Sequence, residues 1–138
     1  DTYEAALEVL ASSQVVSSNY FILAGAVGQG AVVTRYGNAS SSDVWSLGSS
    51  SAVSDGQPPW LRVQTNVDHW VPFGDAYATH RRQQAVDKFV EIGPGAVDMD
   101  KMYEVYLSDH ARAGSENRTT PEDTGVILRP TTIATVVM

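Results

Sequence analysis

Apolar positions recur every three or four residues at the start of the chain. Tyr3, Ala6, Leu7 and Leu10 fall on one face of a helix over residues 1–11, with Asp1 and Glu4 in a capping-box-like start and Ser12-Ser13-Gln14 as the stop. The period then changes. Residues 20–24 form a continuous apolar run, the pattern of a buried strand, and residues 31–36 are rich in β-branched side chains. The glycines between them, Gly25, Gly28 and Gly30, predict the turn of a hairpin. Residues 37–59 are serine-rich and end on Pro58-Pro59, which predicts a long surface loop with room for one short strand at 43–47. A third strand is expected over 60–66, with Leu61, Val63 and Thr65 on one face and Trp60, Arg62, Gln64 and Asn66 on the other. Residues 82–92 read as a helix opened by Arg81-Arg82, with Val86, Phe89 and Val90 as its buried stripe and Gly93-Pro94-Gly95 as its stop. Residues 97–108 read as another, capped by Asp98, with Met102, Val105 and Tyr106 facing inward. A polar loop over 109–123 leads to strand-like runs at 126–128 and 131–137. This order predicts one α+β domain over 1–138, a mainly antiparallel sheet with helices packed against it. The strand-like ending predicts that the chain is part of a longer protein.

Composition narrows the partners. Of 138 residues, 43% are hydrophobic and 18% charged, values of a folded domain with a core. The net charge of −7 argues against a nucleic-acid partner, whose phosphates need a basic surface. There are no cysteines, which excludes disulfides and a cysteine nucleophile within these residues. Two sequons, Asn38-Ala39-Ser40 and Asn117-Arg118-Thr119, predict glycosylation at Asn38 and Asn117 and hence a secretory route. The opening residues carry no signal-peptide pattern, so a targeting segment is expected outside the chain.

Residue types that build sites concentrate at 63–82. Asp68, His69, Asp75 and His80 are possible metal ligands, but their spacing matches no zinc motif, and neither a metal nor a cofactor is predicted. Asp98-Met99-Asp100 lacks the glycine and distal glutamate of a calcium loop and reads as a helix cap. No Gly-x-Ser-x-Gly elbow supports a serine nucleophile, and residues 25–30 lack the Lys-Ser/Thr of a phosphate loop. Asn66 and Arg81 carry more. A side-chain amide at the end of a buried strand can donate to a developing oxyanion, and a nearby guanidinium can orient a carboxylate or stabilise negative charge. On residue chemistry alone, a turn-starting asparagine and a helix-start arginine are the better reading.

Five stretches in order carry a resemblance: Gly30-Ala31-Val32-Val33-Thr34-Arg35, Asp43-Val44-Trp45-Ser46-Leu47, the run from Arg62 through Thr65-Asn66-Val67-Asp68-His69-Trp70, the pair Arg81-Arg82, and the closing Thr132 to Met138. They resemble the β-subunit of the acid ceramidase and N-acylethanolamine-hydrolysing acid amidase family. The resemblance implies the C-terminal part of an αββα N-terminal-nucleophile hydrolase. It also implies a cysteine, exposed by self-cleavage of a precursor, that attacks a fatty-acyl amide and forms a thioester. It assigns Asn66 to the oxyanion and Arg81 to the active site as catalytic residues, with Asp68, His69 and Trp70 as support. It implies a lipid amide as substrate, a lysosomal or secreted location, and a partner: the remainder of the precursor, or a companion chain, bearing the nucleophile. The chain departs from the family pattern at Val67, where tyrosine is usual, and at Thr79 and His80, where acidic residues precede the arginine pair. It also lacks the nucleophilic cysteine, so the alternative is a non-catalytic glycosylated structural or binding protein on the same fold.

Overall fold

The computed structural model describes residues 2–37, 42–49, 56–72 and 77–107, with the side chains of 77–79 and 106–107 left aside. Asp1, Asp75, both sequons and everything after Leu107 lie outside the described residues. The elements are α1 (Tyr3–Ser12), β1 (Asn19–Ala24), β2 (Gly30–Arg35), β3 (Ser42–Ser46), α2 (Tyr77–Ile92) and α3 (Met99–Leu107). The class is α+β. The chain divides into two compact units, one holding α1, the strands and Pro58–Arg62, the other holding Gln57, Val63 and the residues through α2 and α3.

In the sheet unit the strands run antiparallel in the order β1-β2-β3. Pairing of Ile22 with Val32 and of Val32 with Trp45 puts these three side chains on one face. Phe21, Val33 and Val44 line up on the other. Central β2 is buried along its whole length, as a strand with neighbours on both edges should be, whereas β1 is half-buried rather than the fully buried strand its apolar run predicts. The predicted hairpin is there. Its turn closes through Gly25 N donating to Gln29 O at 3.0 Å and Gln29 N to Ala26 O at 2.8 Å, with Gly28 at φ +85°, a value that favours glycine. The short strand expected inside the serine-rich loop forms as β3.

Helix α1 places Tyr3, Ala6, Leu7 and Leu10 at half-buried positions, as its period requires. Its cap differs from the expectation. Thr2 is the N-cap, its Oγ1 accepting from Ala5 N at 3.2 Å, and Glu4 instead accepts from Gln29 Nε2 at 3.3 Å, tying helix to hairpin turn. The other end is closed from the sheet: Arg35, buried at 1% exposure, donates to Leu10 O at 2.8 Å, one of the carbonyls that a helix C-terminus leaves without a partner.

Among the described residues, the expected third strand over 60–66 pairs with no other strand. At Val63 a side chain meets the backbone instead. Gln57 Oε1 accepts from Val63 N at 2.6 Å and Gln57 Nε2 donates to Val63 O at 3.2 Å, so one amide satisfies both backbone groups. Leu61, Arg62, Val63 and Gln64 are all buried, and exposure begins only at Asn66.

In the helical unit α2 begins at Tyr77, so the arginine pair sits in its second turn instead of opening it. Its buried stripe is Arg82, Ala85, Val86 and Phe89, while Val90 is 52% exposed, one step round the helix from the face that the sequence assigned it. Gly93, at φ +78°, ends α2 with its N–H on Phe89 O at 2.9 Å. Asp98 caps α3 as expected, accepting from Lys101 N at 2.8 Å. Val105 is buried and Met102 half-buried on that helix. No described helix is long and apolar enough to cross a membrane.

Candidate functional site

The site is built in the helical unit from residues 64–71 and the second turn of α2. Asp68 to Val71 form a turn, with Val71 N donating to Asp68 O at 3.0 Å. Two consecutive arginines of α2 reach this segment in different ways. Arg82 is fully buried, and its guanidinium donates to the carbonyls of Val67 at 3.4 Å, Asp68 at 2.9 Å and Val71. Arg81, also buried, donates through Nη2 to Asn66 Oδ1. The two residues that the sequence singled out, fifteen positions apart, are therefore in direct contact.

That contact fixes a chemical polarity. Guanidinium is donor only, so the amide of Asn66 must turn its oxygen toward Arg81, which leaves its NH₂ as the outward group. The Asn66 side chain is exposed. An exposed amide donor with its oxygen held is suited to meeting negative charge that develops on a carbonyl oxygen. The positive charge behind it polarises the amide in the direction that strengthens donation.

Behind Asn66 the segment is dry. Gln64 is 6% exposed, and its Nε2 donates to both Thr65 O at 2.5 Å and Val67 O at 2.8 Å. His69 is 4% exposed and packs edge-on to Trp70, centroids 4.8 Å apart at 76°. Trp70 presents part of its ring to solvent. His80 is exposed, and among the described residues no group of three or more histidines and carboxylates converges on a point that would hold a metal.

The sequence pointed to Asn66 and Arg81 and missed Gln64 and Arg82. Arg82 had a signal: it occupies the apolar stripe of α2, in step with Ala85, Val86 and Phe89, where a charge is tolerated only if its donors are used internally. Gln64 had none, because strand alternation only placed it on the face opposite Leu61 and Val63.

Comparison with known proteins finds the same resemblance. The chain is 29% identical over 106 residues to the N-acylethanolamine-hydrolyzing acid amidase of Cavia porcellus, which covers 76% of this chain and 27% of that protein. It is 27% identical over 105 residues to the enzyme of the same name from Rattus norvegicus, with the same coverage, and 26% identical to that of Mus musculus. No protein-family model matches the chain, and no solved structure gives a significant match. The chain is similar to the acid ceramidase and N-acylethanolamine-hydrolysing acid amidase family, and spans about a quarter of the length of the relatives it matches, 27%.

Proposed function

We propose that residues 1–138 form the C-terminal portion of the β-subunit of a lipid amidase with an αββα N-terminal-nucleophile architecture, in which Asn66 is the oxyanion donor. The observation that carries this reading is the Arg81–Asn66 hydrogen bond, which leaves an exposed amide NH₂ with fixed polarity. The relatives' printed name supports an N-acyl amide of the N-acylethanolamine type as substrate, with ceramide as the related alternative.

In the proposed reaction, a cysteine thiol on residues outside this chain, its proton taken by its own α-amine, attacks the acyl carbonyl. The carbonyl oxygen gains the negative charge, which the Asn66 NH₂ meets while Arg81 holds the other end of the amide. Collapse breaks the C–N bond, returns the proton to the leaving amine and leaves a thioester, which water hydrolyses to the fatty acid and free thiol. Asp68, His69 and Trp70 shape the loop that presents Asn66; buried His69 packs on Trp70 instead of moving protons. A lysosomal or secreted setting and glycans at Asn38 and Asn117 fit the same reading.

The test is Asn66→Ala in the complete protein, assayed on an N-acylethanolamine. Loss of one oxyanion donor lowers kcat by about 10²–10³ with folding intact. Unchanged turnover refutes the role.

A further inference from the structure

We infer that Gln64 and Arg82 are positioning residues that hold Asn66 in its donor geometry; the inference rests on the oxyanion role just proposed. Asn66 combines two properties that conflict. The residue is exposed and its side chain is held at one end only, by Arg81, yet an oxyanion donor has to sit within about half an ångström of its working position. The rest of the restraint has to come from the backbone beneath it.

Gln64 supplies that restraint with one group. Its Nε2 donates to the carbonyls of Thr65 and Val67, the residues on either side of Asn66. Both hydrogens of a single NH₂ therefore bracket the residue that carries the donor. Gln64 Oε1 is buried and has no hydrogen-bond partner among the described residues. The orientation is forced, because turning the amide round would aim its oxygen at two carbonyls. The molecule thus tolerates a buried acceptor without a donor, a cost avoided at most sites, in order to keep the two donors under Asn66.

Arg82 continues the restraint along the chain. Its guanidinium shares the Val67 carbonyl with Gln64 and adds those of Asp68 and Val71. Because Arg82 is next to Arg81 on one helix, the loop backbone and the Asn66 side chain are registered against the same rigid turn. The result is a donor pre-placed before substrate arrives, so that ordering is not left to the reaction step.

The experiment is a double-mutant cycle in the complete protein between Gln64→Glu, an isosteric change that removes both donors at neutral pH, and Asn66→Ala. Gln64→Glu is expected to lower kcat about ten- to a hundredfold with KM little changed. In the Asn66→Ala background the same change is expected to cost less than about twofold, because its effect passes through a group already removed. Equal losses in both backgrounds overturn the inference and leave Gln64 a purely structural residue. An Asn66→Ala variant that keeps full turnover instead overturns the oxyanion reading itself, and the positioning inference with it. If Gln64→Glu does not fold, Arg82→Lys runs the same cycle, since an ammonium cannot span three carbonyls. In the unaltered protein, the Gln64 side-chain amide protons are expected to exchange with solvent far more slowly than those of Asn66; equal exchange rates count against the clamp.

Discussion

Arg62 and Arg81 stand at the two ends of one polar stretch, and both are buried, at 6% and 7% exposure. Arg62 hands its donors mainly to main-chain carbonyls, Ser46 at 3.2 Å, Pro58 at 2.9 Å, Leu61 at 2.7 Å and Ser49 at 3.1 Å, and also to Ser49 Oγ at 3.3 Å. Its guanidinium lies 4.9 Å from the centre of the Trp45 ring, adding a cation–π contact. Arg81 reaches instead to the side-chain oxygen of an exposed residue. The first arrangement closes a loop and ends there. The second transmits the position of a helix to a group that faces solvent. Burial is the same in both cases, so burial alone does not distinguish a structural guanidinium from one proposed to serve a site; what differs is that the acceptor of Arg81 is the side chain of exposed Asn66. Arg82, bonded to main-chain carbonyls, resembles Arg62 in chemistry, but the carbonyls it holds belong to the loop that carries Asn66.

The comparison is broken most directly through Arg62. Arg62→Leu keeps an apolar side chain near Trp45 but removes the guanidinium donors to the carbonyls of Ser46, Ser49, Pro58 and Leu61, although Ser46 O keeps Ser49 Oγ and Pro58 O keeps Leu61 N. Denaturant unfolding should show a loss of about 3 kcal/mol or more. Turnover per folded molecule should stay the same; a fall in kcat matching that of Arg81 variants would erase the distinction. At the other end, Arg81→Lys keeps the charge but loses the planar fork that fixes the Asn66 amide. It should lower kcat about tenfold, a change of about 1.4 kcal/mol, while shifting the midpoint of unfolding little. The cap of α1 supplies a smaller control in the sheet unit. Thr2→Ala should cost about 1 kcal/mol in unfolding free energy and leave kinetics untouched, and an effect near zero would remove Thr2 from the cap. Least of all, Val90→Lys on the exposed side of α2 should change stability by no more than about 0.5 kcal/mol. The same change at Val86 should prevent folding, and similar effects at the two positions would restore the stripe that the sequence suggested.

Much of the fold could be read from local pattern. The apolar face of α1, the hairpin of β1 and β2, the short β3, the glycine stop of α2 and the Asp98 cap of α3 are each set by residues within a few positions of one another. The errors originate in side-chain hydrogen bonds to backbone carbonyls and amides, which a hydrophobic pattern does not record. Val63 looked like a strand residue because its neighbours alternate, but Gln57 had already taken its backbone groups. Val90 looked buried because apolar residues usually are, but the face was set by Arg82, whose donors are used by the carbonyls of Val67, Asp68 and Val71. In the site, residue type and motif order were enough to choose Asn66 and Arg81. Gln64 stayed hidden because a buried glutamine is identified only by the carbonyls it meets.

By itself the sequence determined the class of the protein, α+β, and the pair of residues most worth examining. Helix and hairpin signals are short-range, and the Thr-Asn-x-Asp-His-Trp run with its following arginine pair is written in one stretch of chain. Only the tertiary structure decided which atom faces which. It turned the Asn66 oxygen to Arg81 and the Gln64 amide under its two neighbouring carbonyls, because donor and acceptor have to be matched in space, and linear order carries no record of that matching.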